Sequence, residues 1–228
     1  MKQKMMESIM GIMVLIMMVV LVGNYQVAGV FSDKGQRETK KVIVIDAGHG
    51  GDDPGKIGIN NALEKDINLK IAYKLKSFLE SSDVHVVLTR EGDAGLYSAS
   101  ASNKKSDDMK KRCAIIDEAQ PIFTVSIHQN SYHEESIHGA QVFYYEQSEE
   151  GKKIAECIQR CLKEKLEPDN KRVAKANSSY YLLRKTSNPT VIVECGFLSN
   201  YTEAEKLIDD YYQEKVAWAI HMAIMELL

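Results

Sequence analysis

Apolar runs that end abruptly in a polar residue and a turn recur three times along this chain. Val42-Ile43-Val44-Ile45-Asp46-Ala47-Gly48-His49-Gly50-Gly51 is the first, Ile122-Phe123-Thr124-Val125-Ser126-Ile127-His128-Gln129-Asn130 the second, and Thr190-Val191-Ile192-Val193-Glu194-Cys195-Gly196-Phe197 the third. Short apolar runs rich in β-branched residues predict strands covered on both faces, as in a parallel sheet. Each run delivers a histidine or a glutamate to its carboxyl end. The glycines around His49 let the backbone pack close to whatever that imidazole binds.

Between these runs the apolar spacing changes to a helical period. Residues 64–81 carry Ile67, Leu69, Ile71, Ala72, Leu75, Phe78 and Leu79 on one stripe, which predicts a helix. Residues 84–89 predict a second strand. Residues 92–108, rich in Ser, Ala, Lys and Asp and without a period, predict an exposed loop leading into a helix over 109–119. A strand over 139–145 and a helix over 151–166, stopped by Pro168, follow. Residues 180–183 and 190–195 predict two more strands, and 202–228 one or two terminal helices with Trp218 packed on the sheet. Alternation of this kind predicts one wound α/β domain over residues 42–228, built on a mostly parallel sheet of about six strands flanked by helices.

The beginning of the chain reads differently. Lys2 and Lys4 precede an apolar stretch from Ile9 to Val22, followed by Gly23-Asn24-Tyr25-Gln26 and the small residues Ala28 and Gly29. This is the pattern of an export signal. Extended to Phe31, the stretch also suffices for a tilted membrane span of about 20 residues, so a cleaved signal peptide and an uncleaved anchor both fit residues 1–31. Residues 32–41 then read as a polar linker.

Composition narrows the choice of function. The 228 residues carry a net charge of −3 and no basic patch, which argues against nucleic acid as a partner. Four cysteines do not make a disulfide scaffold in a chain of this length. Cys157 and Cys161 share a predicted helix stripe, and Cys113 and Cys195 read as core. His85 falls on a strand face and His221 on the terminal helix. His133 and His138 flank the loop beside the third strand and read as exposed. Asn130 and Arg184 are candidates for orienting a substrate, although Asn130 also suits a turn cap.

In open α/β sheets reactive groups gather beyond the carboxyl ends of parallel strands. His49, His128 and Glu194 occupy three such ends. Glu64 stands at the start of the first helix and therefore on the same edge. Two neutral imidazoles and one carboxylate leave one vertex of a zinc tetrahedron open, the composition of a catalytic site. His49, Glu64 and His128 are thus the candidate ligands of a single Zn2+. Glu194, ending an otherwise apolar strand, is the candidate proton carrier.

Taken in order, Ile45-Asp46-Ala47-Gly48-His49-Gly50-Gly51, Glu64, Ser126-Ile127-His128-Gln129-Asn130 and Glu194-Cys195-Gly196-Phe197-Leu198-Ser199-Asn200 resemble the motifs of the type 3 zinc-dependent N-acetylmuramoyl-L-alanine amidases. The resemblance spans residue 42 to the C-terminus. It implies that the two histidines and Glu64 hold zinc, that Glu194 is catalytic, and that the bond cut joins muramic acid to the L-alanine of a peptidoglycan stem peptide. The single domain, the loop over 92–108 and the stretch Gly139-Ala140-Gln141-Val142-Phe143-Tyr144-Tyr145 are similar to the germination-specific members, which act in spore cortex on the way to muramic lactam. A general cell-wall autolysin and a catalytically silent wall-binding protein are the alternatives.

These readings place the protein outside the cytoplasm, on the outer face of the membrane, in the wall, or between the forespore membranes. No appended wall-binding module is expected, and only residues 131–137 separate the second histidine motif from the next strand, too few for a blocking helix. An accessory activator protein is therefore expected as a partner, beside peptidoglycan itself.

Overall fold

The computed structural model describes residue 10, residues 12–18 and residues 41–228. Residues 12–18 are helical, and among the described residues no helix is long and apolar enough to cross a membrane. The rest of the expected signal or anchor segment, and the linker up to residue 40, lie outside the described residues.

From Lys41 the chain alternates strands and helices as the periodicity predicts. It runs β1 (Val42–Ala47), α1 (Glu64–Glu80), β2 (His85–Leu88), α2 (Lys104–Ala119), β3 (Phe123–Asn130), β4 (Gln141–Tyr145) and α3 (Glu149–Leu166). Then come β5 (Lys175–Asn177), α4 (Tyr181–Lys185), β6 (Thr190–Phe197), α5 (Tyr201–Ile208) and α6 (Asp210–Leu227). The strands form one six-stranded sheet in the order β2-β1-β3-β6-β4-β5. β2, β1, β3 and β6 pair in parallel, and β4 runs antiparallel to β6 while pairing in parallel with β5. The sheet is mostly parallel, as expected.

Period two divides the strands between two helical layers. Ile43, Ile45 and Ala47 of β1 join Val125 and Ile127 of β3 and Val191 and Val193 of β6 in the larger core, under α1, α3 and α6. Val44 points the other way and packs with Cys113 and Ile116 of α2 and Leu182 of α4. Cutting a fully buried leucine such as Leu75 of α1 to alanine in a core of this kind costs about 2–5 kcal/mol. All four cysteines are free and buried, in line with a packing role.

Three local expectations are corrected. Residues 180–183 form no strand: Tyr181–Lys185 is the short helix α4, and the edge strand is Lys175–Asn177. Four or five residues are too few to separate a period of two from one of 3.6. The helix expected to start at Met109 starts at Lys104, because the Asn103 side chain accepts a hydrogen bond from Ser106 N and caps it. The added turns are solvated and carry no apolar stripe to betray them. Trp218 lies not on the sheet but on the helical layer, 44% exposed, with its ring edge-on to Phe78 of α1 at 5.2 Å between centroids.

Candidate metal centre

Because β1, β3 and β6 are adjacent and parallel, their carboxyl ends open on one edge of the sheet. All four residues singled out in the sequence line the same cleft there, which has a volume of about 610 Å³. Lys56, Asn130, Tyr180 and Ile192 are also in its walls.

His49 follows β1 in a left-handed conformation, with φ of 62°. That conformation costs a non-glycine residue roughly 1–2 kcal/mol and needs support. Arg112 of α2 provides some of it by donating from Nη2 to the His49 carbonyl at 2.5 Å. The ring is then fixed from its other side, with Nδ1 2.8 Å from Asp53 Oδ2. This leaves Nε2 facing Glu64 Oε1 at 3.2 Å.

Glu64 is the first residue of α1, where the helix dipole favours a carboxylate. Its Oε2 accepts from Lys56 N at 2.7 Å and its Oε1 from Gln129 N at 3.0 Å. His128, from β3, brings Nδ1 to 2.9 Å from the same Oε1. The two imidazole rings stand 5.0 Å apart at 80°. One nitrogen from each histidine and one oxygen from Glu64 thus lie within 4.8 Å of one another, close enough to share one cation. Burial alone would raise the Glu64 carboxyl, but hydrogen bonds and charge from the two histidines outweigh it and hold the group well below the usual carboxylate range. His128 responds in the opposite sense: burial disfavours its charged form, yet Glu64 lifts it to about 9. A metal ion would take over the role of those shared protons.

Glu194 differs from Glu64 in every respect. It is the register partner of His128 across β3 and β6, so both side chains leave the sheet on one face. It is 7% exposed, and its Oε2 has no hydrogen-bond partner. Burial, reinforced by the charge of Glu64 and opposed by the two histidines, raises its pKa to about 7. A carboxyl that is buried, unpaired and poised near neutrality beside a candidate cation site is suited to moving protons.

Sequence reasoning passed over Asp46 and Arg112. Asp46 occupies a position of β1 between Ile45 and Ala47 but points to the α2 face, where it accepts from Arg112 Nη1 at 2.7 Å, Thr89 Oγ1 at 2.6 Å and Ser126 Oγ at 2.5 Å. Burial would raise its carboxyl, but these partners, Arg112 foremost, hold it at about 2. The signal was there to read: an aspartate inside a β-branched run demands a buried cation. The other sequence candidates resolve plainly. Asn130 lines the cleft and caps the turn, its Oδ1 accepting from Ser131 N at 2.8 Å. Arg184, His133 and His138 are exposed and absent from the cleft wall. His85 is exposed on its strand, and His221 is buried with its ring 3.0 Å from Ser82 Oγ.

A second trio, Cys157, Cys161 and Glu226, also brings potential ligand atoms within 4.8 Å of one another. There, however, Arg160 donates to both oxygens of Glu226, at 2.6 and 2.7 Å, so the carboxylate is already paired.

Known proteins resemble this chain in sequence and in fold. The sequence profile of the N-acetylmuramoyl-L-alanine amidases matches residues 43–226. The germination-specific N-acetylmuramoyl-L-alanine amidase of Bacillus subtilis is 36% identical over 188 residues, covering 81% of this chain and 78% of its own. Among solved structures, the CwlD amidase of Clostridioides difficile, in complex with the GerS lipoprotein, matches at 41% identity and a TM-score of 0.80, covering 82% of this chain and 98% of its own. The amidase AmiC2 of Nostoc punctiforme matches at 31% identity and a TM-score of 0.71, covering 82% and 96%. By fold, by residues matched and by identity, this chain belongs to the N-acetylmuramoyl-L-alanine amidase family.

Proposed function

We propose that this amidase is zinc-dependent, with His49, Glu64 and His128 as the ligands and Glu194 as the catalytic proton carrier. Its substrate is peptidoglycan, and the bond cut is the amide between the lactyl group of N-acetylmuramic acid and L-alanine. The observation that carries the reading is the contrast between the two buried glutamates: Glu64 is saturated by donors beside two imidazoles, while Glu194 Oε2 has none. Two histidines and a carboxylate form the donor set of a catalytic zinc site with one open position. Zinc bound there would supply Lewis acidity to amide hydrolysis.

The chain's own groups supply the rest. Glu194, ionised, takes a proton from the attacking water as oxygen adds to the lactyl carbonyl carbon. It returns that proton to the alanine nitrogen as the C–N bond breaks, leaving a lactyl carboxylic acid and a free amino group. Asp53 holds the His49 ring by Nδ1, so that Nε2 is the nitrogen turned toward Glu64 and the one that would be offered to a metal. Tyr180, packed edge-on against Phe143 at 5.5 Å, forms an apolar wall near Glu194 and helps keep that carboxyl desolvated.

A role in spore cortex, on the way to muramic lactam, is supported by the likeness to the germination-specific enzyme of Bacillus subtilis. An accessory protein is supported by the complex of the similar CwlD amidase with the GerS lipoprotein. An extracytoplasmic location follows from the substrate and from the export pattern of residues 1–31. Whether that segment is cleaved or retained as a membrane anchor, residues 42–228 are proposed to form the catalytic unit.

Mass analysis of muropeptides after digestion of isolated cortex tests the assignment. Free stem peptides and muramic acid without its peptide are expected. Release of peptide fragments with L-alanine still on the muramic acid would overturn it.

A further inference from the structure

Arg90 follows β2 and is 4% exposed, yet among the described residues no carboxylate is within hydrogen-bond reach of its guanidinium. Its donors are spent on four main-chain carbonyls instead. Nε donates to Ala47 O at 2.9 Å, Nη1 to Gly92 O at 2.7 Å, and Nη2 to both Gly48 O at 3.1 Å and Lys65 O at 2.7 Å. Burying a guanidinium without an anion is costly, and an apolar side chain filling the same space would be cheaper. What this arrangement secures is a geometry.

Two of those carbonyls belong to the neighbours of candidate ligands. Gly48 precedes His49, and Lys65 follows Glu64. One nitrogen, Nη2, therefore joins the turn that presents the first histidine to the first turn of the helix that presents the carboxylate. No backbone hydrogen bond outside helices and strands joins residues 47–49 to residues 64–65, so the other ties are made by side chains: His49 Nε2 lies 3.2 Å from Glu64 Oε1, and Lys65 Nζ donates to Gly51 O at 3.0 Å. Asn68 Nδ2 adds a single side-chain bond to Gly48 O at 3.1 Å.

We infer that Arg90 is a positioning residue that fixes the separation of His49 and Glu64, and through it the affinity of the site for its cation. The inference rests on the zinc reading given above. Lysine cannot replace arginine in this role: a planar fork reaches four carbonyls spread around it, whereas one ammonium serves three donors from a single point. If Arg90 did no more than brace the loop at Gly92, its replacement would lower stability and leave metal affinity alone.

The test uses the full chain and Zn2+ in competition with a chromogenic chelator, together with thermal midpoints measured with and without zinc. Arg90→Lys is expected to bind zinc 10- to 100-fold more weakly than the parent, the usual effect of removing a partner that orients ligands. At saturating zinc its kcat should return to within a few-fold of the parent value. Arg90→Gln, neutral and still able to donate two hydrogen bonds, guards against a misfolded lysine variant and should show the same loss. Unchanged zinc affinity in either folded variant, whatever its thermal midpoint, overturns the inference alone. A parent chain that binds no zinc overturns the zinc reading and this inference together.

Discussion

Gly48 lies against the imidazole of His128 so closely that a Cβ at position 48 would overlap the ring, approaching Nδ1 to 2.7 Å. The ring is also tied to Glu64, whose Oε1 lies 2.9 Å from its Nδ1, so moving it costs that contact. Gly48→Ala should therefore displace His128, a proposed zinc ligand, without touching the core. We expect a folded protein with zinc bound at least 10-fold more weakly and activity reduced in parallel. Equilibrium dialysis beside circular dichroism checks both halves.

Glu194→Gln should separate chemistry from stability. Loss of the proposed proton carrier is expected to lower kcat by about 10²- to 10⁴-fold while zinc content stays at the parent level. Because the carboxyl is buried with an unpaired oxygen and a pKa raised to about 7, its neutral replacement should leave the thermal midpoint at pH 8 unchanged or higher. A fully active variant would remove Glu194 from the mechanism.

Chelation should silence the enzyme and loosen the fold together. His49 follows β1, Glu64 opens α1 and His128 belongs to β3, so an ion held by all three would tie three separate segments of the fold together. Zinc at 100 times its dissociation constant should add about 2.7 kcal/mol. For a domain of this size that amounts to a rise in midpoint of roughly 5–10 °C in calorimetry. Re-addition of zinc should restore activity.

Acid should weaken the domain through Asp46. Its carboxyl titrates near 2 in the folded protein against an ordinary value of 3.8, so its contribution is complete above pH 5 and disappears as the pH falls through both values. The amount at stake is of order 2 kcal/mol. Glu194 acts in the opposite sense and in another window, because its raised value costs stability as the pH rises from 4.5 through about 7. Asp46→Asn should remove the Asp46 share of this acid-sensitive loss and leave that of Glu64, which is also held below the usual range. It also leaves Arg112 buried without its main anion, lowering overall stability by about 3–5 kcal/mol in urea unfolding at pH 7.

Legibility in the sequence followed the physics of each element. β1, β3 and β6 were readable because a strand buried on both faces needs a continuous apolar run, and a polar residue closing such a run stands out. The four cleft residues could then be brought together before any coordinates, since adjacent parallel strands share a carboxyl edge. The buried pair of Asp46 and Arg112 was not assembled. The aspartate hinted at a cation, but nothing in the spacing singled out residue 112, 66 positions away, from other arginines. Arg90 was invisible for a related reason: its partners are carbonyls, which every residue carries. The short helix Tyr181–Lys185 and the polar opening turns of α2 were missed because periodicity reports only what is amphipathic over several turns.

The pairing of His128 with Glu194 also makes the enzyme a reporter of its own assembly. Sliding β6 by a single residue along β3 would turn Glu194 to the opposite side and bring Val193 or Cys195 opposite the imidazole. Such a molecule could still be condensed and rich in secondary structure, yet it would be chemically mute. Turnover per mole thus measures the fraction of a refolded sample whose central strands have found their proper alignment.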